Sequence, residues 1–421
     1  VWPGVWRIGA DSAIGGGQYA MRIALVNNTF EPFQVGGAEK SMLARAKGLA
    51  ARGHVVRIFT LAADGHARIR ELDDIPIVYF KGRWAKCSPW HEDRTRLDKF
   101  LWHAGPEWVP GGGTDISVLI EDFAADVVNF ANLPGIGYEN ILSVRKAGIP
   151  TVMTIADFAP LCIGTTMFRS GTECRTRCLS CRLISSQRLR RFNLADRYVF
   201  VSRHMQDTYH RLNPGGGNMK SNSHIIFNGL DKTFLEAGRQ VTGRSHEGLR
   251  IGFMGQLKPT KGVELLIRQF LASEVSESAT LRIAGVGEET YTNHLQELAK
   301  GSDRIEFLGW SDPIAFYRSV DLVVVPSLWA EPLPRIGYEA NYCGLPVIVS
   351  NRGGCPELVE TDKTGSVFDP DDPDSLSREM FKWIERLQGD GGEIGLRAKH
   401  KALRDHHPEV VADRYEQVLT F

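Results

Sequence analysis

Short runs of β-branched and apolar residues alternate with amphipathic stretches along almost the whole chain, and this alternation restricts the fold more than any other feature. Strands of a parallel sheet are buried on both faces, so they are continuous apolar runs, and each needs a crossover helix to reach the next. Runs such as 22–27, 151–155 and 322–326 have this character. The pattern predicts an α/β protein with parallel sheets covered by helices.

The predicted strands form two series, separated by a polar, glycine-containing connector at 227–248. Those of the first series are 22–27, 55–60, 75–80, 126–130, 151–155, 198–201 and 224–227, and those of the second are 250–255, 280–285, 304–309, 322–326 and 346–350. Predicted helices lie at 37–52, 137–147, 184–195, 261–273, 289–300, 313–319, 335–343, 373–388 and 391–404. We therefore expect two Rossmann-like domains of similar size.

The domain boundary is expected near residue 240, which gives domains at 21–240 and 241–403 and a C-terminal helix over 404–421. Residues 1–20 precede Met21, and we interpret them as an extension or a cloning remnant. Ligands of open parallel sheets bind beyond the carboxyl ends of the strands. Two such domains facing each other would form a cleft, so chemistry is expected at the strand-to-helix turns.

Charge and cysteine content limit the partners and the compartment. Lys+Arg and Asp+Glu both number 50, so net charge gives no reason to expect nucleic acid, and no such partner is predicted. No apolar run is long enough to span a bilayer, and the first 20 residues lack the apolar core of a secretory signal. Seven cysteines, an odd number, do not fit a secreted disulfide framework, so a cytoplasmic protein is expected.

Two glutamates flank the predicted start of one helix, in the segment "WAEPLPRIGYEANYCGLPVI" at 329–348. A helix that starts near Arg335 offers backbone N–H groups to a phosphate. Glu339 falls about one turn inside this helix, and Glu331 precedes it. Carboxylates repel phosphate but accept hydrogen bonds from sugar diols, so the pair favours a ligand such as a nucleotide-sugar. The alternative for Glu339 is a residue that only complements the helix dipole.

Two further turns place phosphate-binding groups at strand ends. In "FMGQLKPTKGVELLI" at 253–267, Lys261 opens a helix, where its ammonium suits a phosphate, although a solvated lysine has the same local pattern. Gly36 and Gly37 directly precede another helix and permit close approach of a ligand to its N-terminus. Neither turn has the G-x-G-x-x-G or Walker spacing, so nicotinamide and nucleoside-triphosphate chemistry are not favoured.

These turns resemble those of the GT-B glycosyltransferases, in particular the large retaining family 4 (glycosyl transferases group 1). The matching segments, in the order and spacing of the family, are "GGAE" at 36–39, "IIFNGLD" at 225–231, "GQL…KG" at 255–262, "FLG" at 307–309, the glutamates at 331 and 339, "EANYCGLPVI" at 339–348 and "GG…ELV" at 353–359. The resemblance covers nearly the whole chain from Met21. It implies a GT-B fold, with an acceptor-side N-terminal domain and a nucleotide-sugar-binding C-terminal domain.

The resemblance also implies roles for single residues. Glu339 is the expected acceptor for the ribose hydroxyls, Glu331 the contact to the donor sugar, and Lys261 the diphosphate lysine. Gly36 and Gly37 would close over the diphosphate from the first domain. Backbone groups after Glu331 would hold the distal phosphate and sugar, at Leu333, Arg335 and Ile336. Members of this family generally need no metal, so no catalytic cofactor is expected.

Three positions depart from the family pattern. Gln256 replaces a common phosphate-binding arginine and is itself a candidate donor contact, while Lys258 is the nearest substitute cation. Pro334 replaces a frequent glycine and donates no N–H. Ala156 stands where relatives often have a histidine that contacts the donor sugar. Asp157 follows it and is a candidate to orient a sugar hydroxyl; its alternative role is a helix cap.

One arginine- and glycine-rich loop, "CIGTTMFRSGTECRTRCLSC" at 162–181, holds four of the seven cysteines: Cys162, Cys174, Cys178 and Cys181. The terminal C-x-x-C is a common zinc half-site, and four thiols in a cytosolic loop favour a structural zinc ion. The other spacings are irregular, and a C-x-x-C pair has many uses without metal, so both readings stay open. An iron–sulfur cluster is less favoured. A closed four-thiolate site would hold this loop over the acceptor cleft.

A basic stripe follows the cysteine loop and consists of Arg182, Arg188, Arg190 and Arg191. Such a stripe predicts peripheral contact with an anionic membrane that carries a lipid-linked acceptor. The alternative, and the simpler one, is a solvated helix face.

The function expected from these features is transfer of a sugar from a nucleotide-diphosphate sugar to a glycan or lipid-linked acceptor, as in the synthesis of surface polysaccharide or glycoconjugates. The transfer would be retaining and independent of metal. Ala156 and Gln256 motivate an alternative, a non-catalytic nucleotide-sugar- or glycan-binding protein on the same scaffold. A hydrolase or epimerase of nucleotide-sugars is a third.

Overall fold

The structure, a computed structural model, describes residues 20–32, 36–89, 91, 93–109, 111–169, 171–239, 241 and 248–421. The extension predicted at 1–20, apart from Ala20, and the boundary predicted at residue 240 lie outside these residues. All structural statements below refer to the described part.

An eight-stranded sheet organises the first half of the chain. Its strands are β1 (Arg22–Val26), β2 (Val55–Leu61), β3 (Arg68–Leu72), β4 (Ile75–Phe80), β5 (Val127–Phe130), β6 (Thr151–Ile155), β9 (Arg197–Phe200) and β10 (Ser223–Ile225), and β7 (Phe168–Arg169) and β8 (Thr172–Glu173) form a separate small hairpin. The order across the sheet is β10-β9-β6-β5-β1-β2-β4-β3. Every pair is parallel except β3 with β4. Of the eight strands of this sheet, the sequence analysis missed β3, whose residues "RIREL" are mostly polar because the strand lies at the edge, and it also missed the two-residue strands β7 and β8.

A six-stranded, wholly parallel sheet organises the second half. Its strands are β11 (Leu249–Met254), β12 (Ala279–Ala284), β13 (Ile305–Gly309), β14 (Leu322–Val325), β15 (Val347–Ser350) and β16 (Gly365–Phe368). Their order is β13-β12-β11-β14-β15-β16. The edge strand β16 was not predicted, because four residues that include a glycine carry little strand signal. The predicted α/β class with parallel sheets is confirmed.

Helices cover both sheets. They are α1 (Gly37–Ala51), α2 (Arg96–Trp108), α3 (Ser117–Asp122), α4 (Glu139–Lys146), α5 (Leu179–Phe192), α6 (Arg203–Leu212), α7 (Gly217–Ser221), α8 (Lys232–Gly238), α9 (Val263–Leu271), α10 (Val275–Ser278), α11 (Glu289–Leu298), α12 (Pro313–Arg318), α13 (Arg335–Tyr342), α14 (Ser375–His406) and α15 (Pro408–Leu419). Short 3₁₀ turns span Ala85–Cys87, Pro259–Lys261 and Cys355–Leu358. None of the helices in the described part is long and apolar enough to cross a membrane.

The two helices predicted at 373–388 and 391–404 are joined in α14, where Asp390 alone leaves helical geometry at φ −101° and ψ 19°. The glycines around Asp390 explain the interruption, because glycine weakens a helix interior. The last helix, α15, returns to the first half and packs on α1. Its Val411 and Tyr415 belong to the same buried cluster as Ile23 of β1. The end of the chain thereby ties the second half to the first.

Candidate functional site

Lys261 is carried to the carboxyl edge of the second sheet by a turn that requires glycine. The residue after it, Gly262, has φ +72° and caps the N-terminus of α9. A Cβ atom on Gly262 would lie 1.8 Å from the carbonyl oxygen of Pro326, which directly follows β14. Only glycine fits there, and its close approach places Lys261 against the loop that leaves β14.

Glu331 is the partner of Lys261. The Lys261 Nζ atom donates to Glu331 Oε1 at 2.5 Å. Ser327 Oγ and Trp329 Nε1 donate to the same oxygen, at 2.8 and 3.0 Å. Glu331 is only 5% exposed, whereas the Lys261 side chain is 28% exposed. The carboxylate is thus held in place by three donors, and the ammonium beside it is partly exposed to solvent.

The backbone of Glu331 is held from behind by two glycines. Gly354 N–H donates to the Glu331 carbonyl at 2.7 Å. A Cβ on Gly353, which has φ +61°, would meet the backbone nitrogen and oxygen of Glu331 within 2.4 Å. A Cβ on Gly354 would lie 3.0 Å from Ser202, at the carboxyl end of β9 in the first sheet. The "GG" pair therefore brings the Glu331 loop against the first half of the chain.

Glu339 lies on α13 and is 7% exposed. Arg335 Nε donates to its Oε1, and Tyr317 OH donates to its Oε2 at 2.9 Å. Burial raises the pKa of Tyr317 well above its usual value, which keeps the hydroxyl a donor. Arg335 also pairs with Asp231 at 3.4 Å, across to the first half. Glu339 is thus part of a fixed network, which excludes the reading of a residue that only faces the helix dipole.

Arg335 carries one donor that the described residues leave unused. Its Nη1 atom is buried and has no hydrogen-bond partner among them. An unpaired buried guanidinium nitrogen costs free energy unless an acceptor is supplied. A ligand oxygen next to Glu339 would be such an acceptor.

The turn before α1 faces this region from the first half. Glu39, quoted in the "GGAE" segment, is buried and accepts from Gly36 N at 2.9 Å and from Thr29 Oγ1 at 2.6 Å. The N–H of Gly36 is thus already used, while Gly37 is exposed and a Cβ there would meet nothing within 4 Å. Ser41, one turn into α1, donates from its Oγ to the carbonyl oxygen of Gly37 at 2.7 Å.

Asp157 follows β6, next to Ala156, and both are half-buried. Its Oδ1 accepts from Ala159 N at 2.8 Å, so it holds the turn after the strand; no helix starts at this turn for it to cap. Burial raises the pKa of Asp157 to about 6, although the Ala159 hydrogen bond and Arg188 lower it.

The remaining predicted donor contacts are spread along the same rim. Gln256 and Lys258 are both exposed and lie in the turn that follows β11. The side chain of Leu333 is buried. That of Ile336 is half-buried, and the Ile336 carbonyl accepts from the Tyr317 hydroxyl.

A contact between the halves that the sequence analysis did not find joins Glu357 to α6. Both carboxylate oxygens of Glu357 accept from the free N-terminus of this helix, from Arg203 N at 2.8 Å and His204 N at 2.9 Å. Lys401 Nζ holds the Glu357 carbonyl at 3.1 Å. The residue lies in the "GG…ELV" segment, but a pattern along the chain cannot reveal a helix cap supplied from another domain. The Glu39 role was detectable in part, since a glutamate three residues into a helix can accept from the N-cap N–H, which is one half of a capping box.

The four cysteines of the predicted zinc loop differ in burial, since Cys162 and Cys181 are buried and Cys174 and Cys178 are half-buried. Burial raises the pKa of Cys181 to about 12, and its thiol interacts with those of Cys162 and Cys178. A hydrogen bond with Ser180 lowers the pKa of Cys178 to about 7. All four are free thiols. Within the described part of the chain, no three His, Cys, Asp or Glu side chains are already spaced as metal ligands.

The predicted basic stripe is interrupted, because Arg188 does not belong to it. Arg188 is 1% exposed and donates to the carbonyl oxygens of Ala159, at 2.6 Å, and His103. Arg191 pairs with Glu107 at 3.3 Å. Arg182 and Arg190 remain exposed on α5. Arg188 therefore fits neither a solvated helix face nor a membrane-contacting stripe.

A cavity of about 470 Å³ lies at the opposite edge of the second sheet. Val320, Asp321 and Leu345 line it, just before β14 and β15 begin, together with glycines at the α14 interruption. Lys261 and Glu331 lie at the carboxyl ends of the strands, so this cavity is not the cleft described above.

Two family models match adjacent parts of the chain. The model described as Glycosyltransferase Family 4 matches residues 35–234, and the one described as Glycosyl transferases group 1 matches residues 236–388. The first match contains every strand of the eight-stranded sheet except β1, and the second contains all strands of the six-stranded sheet.

Relatives extend over most of the chain. An uncharacterized 42.6 kDa protein in the cps region of Klebsiella pneumoniae is 24% identical over 338 residues, which are 80% of this chain and 87% of that protein. The crystal structure of Anabaena HepE in complex with UDP is 19% identical with a TM-score of 0.65, and covers 95% of this chain and 100% of HepE. WaaG, a glycosyltransferase involved in lipopolysaccharide biosynthesis, is 15% identical with a TM-score of 0.61, over 94% of this chain and 99% of WaaG. The structural neighbours share the GT-B fold.

Proposed function

The chain belongs to the group 1 family of GT-B glycosyltransferases, and from this premise we propose that it moves a sugar from a nucleotide-diphosphate sugar to a glycan or lipid-linked acceptor, with retention and without a metal. The observation that carries the proposal is the pairing of Lys261 with Glu331 at 2.5 Å, on the same rim as the Glu339–Arg335 pair. A cation paired with one carboxylate, near a second carboxylate paired with a guanidinium, supports a site for a diphosphate that carries a sugar on either side.

The two carboxylates have separate tasks. Glu339 accepts the ribose hydroxyls, and the unused Nη1 donor of Arg335 meets an oxygen of the same nucleotide. Glu331 accepts from a hydroxyl of the donor sugar through the oxygen that its three protein donors leave aside. Lys261, held by Glu331 on one side, places its ammonium at the leaving diphosphate. The crystal structures of Anabaena HepE with UDP and with UDP-glucose support a uridine nucleotide as the first donor to test.

During transfer, the bond between the sugar C1 and the phosphate oxygen breaks, and the acceptor hydroxyl oxygen bonds to C1. The acceptor proton passes to the leaving phosphate. Negative charge grows on that phosphate, and the Lys261 ammonium stabilises it. Glu331 does not attack C1, because an anion that accepts three hydrogen bonds on one oxygen is a weak nucleophile. This supports front-face retention without a covalent intermediate.

The acceptor binds from the first half, where Asp157 orients its hydroxyl. Surface polysaccharide or glycoconjugate synthesis is the setting we propose, and WaaG, with its role in lipopolysaccharide biosynthesis, is a neighbour that supports it. The cytoplasm is the proposed compartment, with all seven cysteines free. A lipid-linked acceptor would bring the protein to the membrane surface.

The second candidate is a nucleotide-sugar-binding protein without turnover, which Ala156 favours. It stands half-buried at the end of β6, where a methyl group cannot hydrogen-bond a donor sugar. Gln256 is exposed and uncharged, and it also favours this second candidate.

The test is release of nucleoside diphosphate from a panel of UDP-, GDP-, ADP- and TDP-sugars, with a crude acceptor extract and with or without brief EDTA treatment. We expect one donor to be used, EDTA to have no effect, and Glu339→Gln to lower release sharply. Glu297→Gln, on the exposed face of α11, is the matched control and should behave as wild type. Binding of a donor without release under every acceptor condition would overturn the transferase in favour of the binding protein. Release of free or isomerised sugar without transfer would identify a hydrolase or an epimerase.

A further inference from the structure

The charges of the chain are balanced overall, but those of residues 162–192 are not. The whole chain has 50 Lys+Arg and 50 Asp+Glu, whereas this segment has seven arginines and a single acid, Glu173. The helix within it, α5, contains no Asp or Glu. A local excess of positive charge attracts anions even where the net charge of the chain is zero. An anionic partner is therefore expected at this segment.

The outward face of α5 combines these charges with exposed leucines. Leu179 and Leu183 are 73% and 58% exposed, and they lie one turn apart on the same side of the helix. Arg182, three residues after Leu179, is exposed next to them. The opposite side of α5 is buried in the core of the first half, for example at Phe192. The helix thus has an outward face on which large apolar side chains adjoin a cation.

The neighbouring helix, α2, presents the same combination. Leu97 and Phe100 are exposed three residues apart, and Arg96 and Lys99 are exposed beside them. Single exposed apolar side chains are normal on a protein surface. Four large ones on two helices that pack on each other indicate an interaction surface.

The two helices run in the same direction, so these side chains lie at one end of the pair. Arg188 on α5 donates to the His103 carbonyl on α2, and Arg191, further along α5, pairs with Glu107, further along α2. The four apolar residues all precede these links. We name this end the α2–α5 surface, which consists of Leu97, Phe100, Leu179 and Leu183 with Arg96, Lys99 and Arg182.

The acids of α2 do not cancel the positive charge of this surface. Asp98 turns back to its own helix start, where its Oδ2 accepts from Thr95 N at 2.8 Å and from Thr95 Oγ1 at 2.6 Å. Glu107 is buried and pairs with Arg191. The cations of the α2–α5 surface are therefore available to an anionic partner.

An anionic lipid bilayer fits this combination of side chains. Arginine and lysine attract the anionic headgroups, and leucine and phenylalanine are stabilised by entering the apolar region just below them. A soluble polyanion such as a nucleic acid would engage the cations alone and leave the four apolar side chains in water. The exposed leucines thus favour the bilayer.

The α2–α5 surface is connected to the acceptor side of the cleft through Arg188. Besides the His103 carbonyl, this buried side chain binds the Ala159 carbonyl at 2.6 Å. The N–H of Ala159 in turn donates to Asp157. The turn that carries Asp157 thus lies one side chain away from α2 and α5.

We propose that the α2–α5 surface binds an anionic lipid bilayer, with its four apolar side chains inserted among the headgroups and its cations on the lipid phosphates. Docking by this surface would bring the Asp157 turn close to the bilayer, where a lipid-linked acceptor could reach it. This last consequence rests on the proposed function, whereas the docking itself does not.

The experiment is co-sedimentation of the full chain with vesicles of equimolar phosphatidylcholine and phosphatidylglycerol, and with vesicles of phosphatidylcholine alone. We expect binding to the anionic vesicles only, and weaker binding as salt is raised. The double variants Leu179→Ser/Leu183→Ser and Lys99→Gln/Arg182→Gln should each lower the partition coefficient by at least about tenfold. The changed side chains are exposed, so the urea midpoint of both variants should match that of wild type.

Matched controls carry the same changes on the second half. Leu271→Ser/Leu396→Ser and Lys300→Gln/Arg304→Gln alter exposed residues there and should bind vesicles as wild type does.

Three results would overturn the proposal: no binding to anionic vesicles, equal binding to both kinds of vesicle, or equal losses in the controls. Full binding by the leucine variant would also overturn it, because a surface that needs only its cations is a site for a soluble polyanion. Binding is read without donor or acceptor. Failure of the transferase proposal therefore leaves this result unchanged, and failure of vesicle binding leaves nucleotide-sugar turnover to be tested by itself.

Discussion

Replacement of Lys261 by methionine separates the proposed chemistry from the stability of the site. The substitution keeps the length of the side chain but removes the ammonium. Glu331 Oε1 loses one of its three donors and keeps Ser327 and Trp329, so the carboxylate is not orphaned. The Lys261 side chain is 28% exposed, and solvent screening limits the loss of unfolding free energy to about 1 kcal/mol. The fold should therefore survive.

The effect of Lys261→Met on turnover should be far larger. A preorganised charge at a developing anion contributes about 3–4 kcal/mol, which is about 100- to 1000-fold in kcat. The assay is the initial rate of nucleoside-diphosphate release at saturating donor, with unfolding followed in parallel by urea titration. We expect a drop in kcat of about 100-fold or more, with the urea midpoint little changed.

Lys258→Met is the matched control, because Lys258 lies on the same turn and is exposed. Its rate should stay within about twofold of wild type, as expected for a solvated residue. A Lys261→Met enzyme with nearly full kcat would refute the role of this ammonium. An equal loss in Lys258→Met would show that the rate depends on the overall charge of the turn and not on the Lys261–Glu331 geometry.

Three further results are expected. Glu357→Ala removes the acceptors of Arg203 N and His204 N at the start of α6, although Ser202 still caps this helix through Met205 N. It should lower the free energy of unfolding by about 1–2 kcal/mol in urea titrations, whereas Glu357→Gln should lose less; equal losses would contradict this role of Glu357. Burial lowers the pKa of His406 from 6.5 to about 4. The neutral form of this histidine therefore contributes stability that is complete above pH 6.5 and is lost as the pH falls toward 4, by at most about 3 kcal/mol. His406→Phe should flatten this part of the stability–pH profile. Because burial raises the pKa of Asp157 to about 6, the transfer rate should fall below that pH. Asp157→Asn should remove this acidic limb of the pH–rate profile and lower the rate at pH 8. An unchanged acidic limb would assign it to another group.

Most of the fold was accessible from the sequence because its strands are buried on both faces. The runs at 22–27, 151–155 and 322–326 needed no tertiary context, since a parallel interior strand is apolar throughout. Edge strands have no such mark. The residues "RIREL" of β3 are mostly polar and "GSVF" of β16 is short, so neither differs from a loop in composition. The helix Arg96–Trp108 was missed for another reason, because Gly105 and Pro106 lie inside it.

The sequence could position a candidate site residue where one turn carries its own chemistry. Lys261, Glu331 and Glu339 lie at strand ends that a sequence pattern can place, and Lys261 and Glu331 are in contact. The sequence could not show which side chains hydrogen-bond to the two carboxylates. Tyr317 and Arg335 hold Glu339, and only the packing of α12 beside α13 brings Tyr317 there. Arg188 shows the converse error, since a run of arginines predicts a surface and this one is enclosed by backbone carbonyls.

The central claim is that the donor nucleotide lies between Lys261 and Glu339. A crystal structure of the full chain with the nucleoside diphosphate of the preferred donor tests it most directly. The account predicts phosphate oxygens within hydrogen-bonding distance of Lys261 Nζ, ribose hydroxyls on the Glu339 carboxylate, and a nucleotide oxygen on Arg335 Nη1. A nucleotide bound elsewhere, with the Glu339–Arg335 pair untouched, would contradict the account.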